Sequence, residues 1–148
     1  MRRSTLYLAV TLLLVVSWTA LSAAPHPPST RARLIHWNHV ALDATGLDHT
    51  PPPPGDDRGW GEHLGPGRSS RAMAIVHIAV FDAVNAIAGG YESYTGLPRP
   101  GNACSIDGAI AAAAHDTLAA LYPGQQALLD ARFAEDLDSM AGTNGRFM

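Results

Sequence analysis

Seven histidines, thirteen carboxylates and one cysteine are the groups with which this chain could do chemistry. His36, His39 and Asp43 stand at i, i+3 and i+7, a spacing that puts them on one face of a helix. Two imidazoles and a carboxylate suit zinc or a similar divalent metal, and His49 and His63 follow downstream. Nothing in the spacing fixes a third or fourth ligand, or an outer partner for the rings. A solvated polar face opposite an apolar stripe accounts for the same pattern.

In "DRGWGEH", Arg58, Gly61 and His63 lie close together, which suits a phosphate held by glycine backbone and an arginine fork. The geometry of an ordinary glycine-rich loop explains the same residues. Further on, the apolar run "RAMAIVHIAVFDAVNAI" carries His77, Asp82 and Asn85. Asp82 and Asn85 share a face one turn apart, and buried polar groups need partners. Arg68, Arg71, a neighbouring helix or a loop backbone could supply them. With no nucleophile at a partnering distance along the helix, these residues are expected to fix packing in a bundle and not to catalyse. His115, after four alanines, is expected to be a helix-packing histidine.

Other catalytic plans are missing from the sequence. It contains no Gly-x-Ser-x-Gly elbow, no Gly-rich phosphate loop between strand and helix, and no histidine close to Cys104. A lone cysteine also makes no internal disulfide. No residue is therefore assigned as catalytic, cofactor-binding or metal-binding.

The elements that must carry these groups are helices. Leu34, Trp37, Ala41 and Ala44, with Val40 and Leu47, recur at helical spacing and predict a helix over 33–46. Four consecutive prolines and scattered glycines then force a loop of a length found where loops are functional or packed against something else. A second helix follows, capped by Ser69 or Ser70 and stopped by Gly89 and Gly90. It is so apolar that it is expected at the centre of a bundle. A third runs from Ile106 to Tyr122, capped by Ser105 or Asp107, with Ile110, Ala114, Thr117, Leu118 and Leu121 inward. A fourth, over 124–141, sets Leu129, Phe133, Leu137 and Met140 inward and Asp130, Arg132, Glu135, Asp136 and Asp138 outward. The fold class is all-α, a bundle of about four helices joined by Pro/Gly-rich loops.

Ahead of them, Arg2 and Arg3 introduce an uncharged apolar run that ends on small residues at Ala23 and Ala24. This is the layout of a signal peptide over 1–24, which predicts a secreted or periplasmic product of residues 25–148 and no membrane span after cleavage. A formal net charge of −3 with no basic patch gives no reason to expect nucleic acid as a partner.

Three segments carry a resemblance: "HWNHVALDATGLDHT", "LGPGRSSRAMAIVHIAVFDAVNAIAGGYESY" and "AIAAAAHDTLAALYPGQQALLDARF". Over residues 34–140 the chain resembles the N-terminal helical region of bacterial vanadium-dependent haloperoxidase-like proteins, which belong with the type 2 phosphatidic acid phosphatases. The resemblance implies a helical bundle whose C-terminal half holds vanadate or phosphate with a lysine, arginines, a Ser-Gly-His segment and a final histidine. This chain has no lysine, no Ser-Gly-His and no Arg-x-x-x-Gly-x-His, to which Arg58, Gly61 and His63 come nearest at one residue short. The resemblance thus implies an N-terminal structural part with no vanadate site of its own, the oxyanion-binding half lying beyond Met148. Apolar helix faces left uncovered would favour self-association. The alternative is a small exported binding module using His36, His39 and Asp43 for a metal.

Overall fold

The structure, a computed structural model, describes residues 29–101 and 104–144; the predicted signal peptide lies outside them. Four α-helices fill it: α1 (Thr30–Asp48), α2 (Pro66–Ala88), α3 (Ile106–Leu121) and α4 (Gln126–Asn144), the last entered through a short 3-10 turn at Pro123–Gln125. No strand occurs among the described residues.

Ser29 starts α1, its hydroxyl accepting from Ala32 N, so the helix begins a turn before the apolar pattern does. Its buried stripe is Arg33, Trp37, Val40, Ala41, Ala44 and Asp48. Leu34, expected inside, is 41 % exposed, and Arg33 takes its place.

The start of α2 differs from the serine caps expected. Gly65 precedes it at φ 89°, a conformation costly for any residue with a Cβ, and Pro66 occupies the first turn. Proline suits that position because its missing N–H would have no helical partner there. Ser69 lies inside the helix, its hydroxyl donating to Gly65 O at 2.8 Å. Gly89, at φ 73°, ends the helix as expected.

The centre of the bundle is α3 and not α2. Ile110, Ala111, Ala114 and Leu118 are fully buried, and α3 packs against α1, α2 and α4. Alanine at the crossing points lets backbones approach closely, and that approach, not side-chain bulk, makes a helix central. In α2, Ala72, Val76 and Val80 join the core, while only 28 % of its most apolar 18-residue stretch is buried. By length and composition it alone among the described helices could cross a membrane.

On α4 the buried positions are Leu129 and Asp136, with Phe133 and Met140 packed against the core. Leu137, expected inward, is 43 % exposed, and Asp136, expected on the outer face, is inside. The reason is a buried ion pair. Arg33 meets Asp136 at 3.0 Å and Asp107 at 2.8 Å, and Trp37 Nε1 donates to Asp136 Oδ2 at 2.9 Å. One guanidinium and one indole thereby join the N-terminal ends of α1 and α3 to the middle of α4.

Candidate functional site

The long loop between α1 and α2 holds a dense polar arrangement organised by Asp48, the last residue of α1. Its carboxylate is fully buried and accepts Glu62 N on Oδ1 at 2.8 Å and His63 N on Oδ2 at 2.9 Å. Gly61 N donates to Asp48 O at 2.9 Å. Arg58 reaches back to the C-terminal end of α1, donating to Leu47 O at 2.6 Å and Thr50 O at 3.3 Å. A cation at this end of a helix also meets the negative end of its dipole.

These bonds decide the phosphate question. Consecutive backbone N–H groups aimed at one point form an anion seat, and in this chain Asp48 fills it. The guanidinium of Arg58 is engaged by carbonyls and by Asp56 at 3.5 Å. His63 Nε2 bonds Leu121 O at 2.8 Å, so the ring donates there and packs edge-on against Tyr122. Arg58, Gly61 and His63 are brought together to close a loop.

Beside them, Tyr122 and Thr45 share a 3.1 Å hydroxyl contact. Burial holds the Tyr122 phenol above its ordinary 10.0; the Thr45 bond opposes this, and the charges of Asp48 and Glu62 add to it. Tyr122 is therefore a neutral hydrogen-bonding group and no base. Gly124 crosses Gly59 so closely that a Cβ on Gly124 would lie 2.5 Å from Gly59 Cα.

His49 adopts a definite tautomer. Its Nδ1 faces Thr45 O at 2.8 Å and must carry the proton, which leaves Nε2 to accept from Gly65 N at 3.1 Å. Ser69 Oγ lies 3.3 Å from the same Nε2, yet Gly65 O at 2.8 Å and His63 O at 3.2 Å are also within its reach. The pair caps the entrance to α2 and is not an activated nucleophile.

A second buried aspartate organises the loop after α2. Asp82 accepts Tyr94 N on Oδ1 at 2.9 Å, and Thr95 N and Oγ1 on Oδ2 at 2.7 and 2.6 Å. Asn85 accepts from Tyr91 N at 3.2 Å and donates to Tyr91 O at 2.9 Å. Burial raises the Asp82 pKa, but the Thr95 hydroxyl, the Tyr94 and Thr95 amides and the Ser93 side chain together hold it below its ordinary 3.8. The partners are loop backbone, with neither Arg68 nor Arg71 involved. His77, expected among these bundle fittings, is exposed.

Comparison with family models, curated proteins and solved structures finds no match.

His36, His39 and Asp43 are exposed on α1. Among the described residues, no group of three or more His, Cys, Asp or Glu side chains is placed to hold a metal ion. Cys104 is an exposed free thiol. An open groove of about 450 Å³ runs between α1 and α4, lined by Val40, Asp43, Leu47, Gln125, Leu129 and Arg132 among others. Its one buried polar side chain, Gln125, donates Nε2 to Ala44 O at 2.9 Å.

Sequence reasoning passed over Arg33 and Asp48 and set Asp136 on the outer face. Each nevertheless left a signal. Arg33 and Asp48 extend the Trp37–Ala41–Ala44 stripe by one helical step at either end, and Asp136 stands between Phe133 and Met140 on the stripe of α4. A charged residue in phase with an apolar stripe marks a buried partner.

Proposed function

We propose that the chain is the N-terminal structural part of an exported vanadium haloperoxidase-like or acid phosphatase-like protein, with no oxyanion site of its own. The parent reaction would be peroxide-dependent halide oxidation or phosphomonoester hydrolysis, performed by residues following Met148. The observation that carries this reading is the state of α2. A helix with the composition of a core element has one face in the core, while Ile75, Ile78, Phe81 and Ile87 lie on a second face that is only partly buried. Such a face suits a further layer of helices from the same bundle.

Two other features support it. The loop that most resembles an anion seat is closed by Asp48, and the chain has no lysine to neutralise an oxyanion. Its polar residues hold helices and loops in place, as a scaffold requires.

Two measurements test the proposal. The purified chain, given vanadate, hydrogen peroxide and bromide, is expected to show no bromide oxidation; turnover would overturn the claim that the site lies elsewhere. The reading frame beyond Met148 is expected to encode a lysine, a Ser-Gly-His segment and a final arginine and histidine. A downstream sequence without them would remove the haloperoxidase-like assignment.

A further inference from the structure

His115 is held in a way that a packing histidine does not need. It lies on α3 with its side chain 12 % exposed, Nδ1 2.8 Å from Asp116 Oδ1 and Nε2 2.8 Å from Asp130 Oδ1. Asp116 is its neighbour on α3; Asp130 belongs to α4. The ring also stacks on Phe133 of α4, at 4.5 Å between centroids and 16° between planes. Phe133 in turn meets the core residue Trp37 edge-on. The imidazole is thus a rivet through the α3–α4 seam, hydrogen-bonded at both ends and covered on one face.

Both contacts are to carboxylate oxygens, which accept only. A neutral imidazole has one N–H and one lone pair, so one of the two 2.8 Å contacts would set a lone pair against a carboxylate. Only the imidazolium, donating from both nitrogens, satisfies the geometry. We propose that His115 is a pH-operated clamp between α3 and α4, closed while the ring is protonated and loosened when it loses its proton.

The surroundings supply both halves of such a device. The charged groups facing the ring are Asp116 from its own helix and Asp130 from α4. Among the described residues, no side chain of α1, α2 or the 3-10 turn forms an ion pair or hydrogen bond with it. Gln126 Nε2 also reaches Asp130 Oδ1, at 3.3 Å, so that carboxylate keeps a partner within α4 when the ring lets go. Asp116 is 78 % exposed and returns to water. Burial of the ring pushes its pKa down, but the hydrogen bonds and charges of the two carboxylates outweigh this and hold it above the ordinary 6.5.

The direction of the effect follows from proton linkage. A base whose pKa rises on folding stabilises the folded state fully below its unfolded pKa, near 6.5, and loses that contribution as pH climbs through the folded value. The seam is therefore tight in mildly acidic surroundings and looser in alkaline ones. What loosens is the docking of α4, the helix that supplies Leu129, Phe133 and Asp136 to the core.

The test is a titration of the purified chain by NMR, following each histidine ring and the α4 amides together. His115 is expected to titrate above the ordinary imidazole value of 6.5. The opening of α4, from amide exchange corrected for its chemical pH dependence, should rise through the same midpoint. The rise should approach about tenfold for each pH unit by which that midpoint exceeds the ordinary 6.5. In Asp130→Asn the His115 midpoint should fall toward 6.5 and the pH-dependent part of α4 opening should shrink. A His115 midpoint at or below 6.5 would overturn the clamp. So would α4 opening in the wild-type chain that stays level while His115 titrates, a result that needs no variant to fold.

Discussion

Asp48 and Asp82 make the same pair of bonds: each sits near the C-terminal end of a helix and accepts consecutive backbone N–H groups of the following loop, one on each carboxylate oxygen. For Asp48 the donors are Glu62 and His63; for Asp82 they are Tyr94 and Thr95. Both loops are rich in proline and glycine, and their large apolar side chains, Trp60, Leu64, Tyr91, Tyr94 and Leu97, stay largely exposed. In each, a buried carboxylate stands in for the missing anchor, satisfied by amides that would otherwise lack partners.

The Asp82 anchor should be acid-labile. Its pKa is depressed in the folded state, so its contribution is present above the ordinary 3.8 and lost as pH falls through the lower, folded value. In an NMR titration the Tyr94 and Thr95 amide shifts are expected to change together with a midpoint below 3.8. A midpoint at or above that value would mean that the bonds do not favour the charged form. In Asp82→Ala, a protease should cut the loop over 91–101 faster than in the wild type while the helices stay intact.

The buried pair of Arg33 and Asp136 predicts an asymmetric mutational response. Asp136→Ala strips the guanidinium of one carboxylate and the Trp37 indole of its acceptor, and is expected to cost about 3 kcal/mol in urea unfolding. Asp107 still faces Arg33, which keeps the loss near the lower end for a broken buried pair. Arg33→Met combined with Asp136→Leu should recover part of it, because the uncompensated charge is then gone while the Trp37 indole still lacks its acceptor.

Gly124→Ala should destabilise through overlap alone. The added Cβ would come within 2.5 Å of Gly59 Cα, backbone that cannot rotate away as a side chain can. The expected loss is about 1–3 kcal/mol, read as a lower melting temperature. Gly67→Ala is the control: a Cβ there meets nothing within 4 Å, and the melting temperature should hold or rise slightly.

Metal analysis addresses His36, His39 and Asp43. The purified chain is expected to hold no stoichiometric zinc, and a His36→Ala, His39→Ala double variant to match it. Zinc at one equivalent that disappears in the double variant would establish the metal-binding module in place of the scaffold.

The helices were legible because their signals are local. Apolar residues at the spacing of Trp37, Ala41 and Ala44, a cap at Ser105 and stops at Gly89 and Pro123 need no knowledge of the rest of the chain. The order of burial was not legible. Hydrophobicity scores the mass of a side chain and favours α2 as the centre, whereas α3 wins that place by having little mass at its crossings. The candidate site was least legible, since a loop's N–H groups have no sequence signature and only the fold shows that Asp48 occupies them. Asp136 was misplaced for a related reason: its charge suggests water, and its partner lies on a helix distant in sequence.

Ala111 and Ala114, both fully buried on α3, have a consequence for substitution. Enlarging either would push α3 away from the helices packed on it, so a larger side chain there would loosen three helix contacts at once.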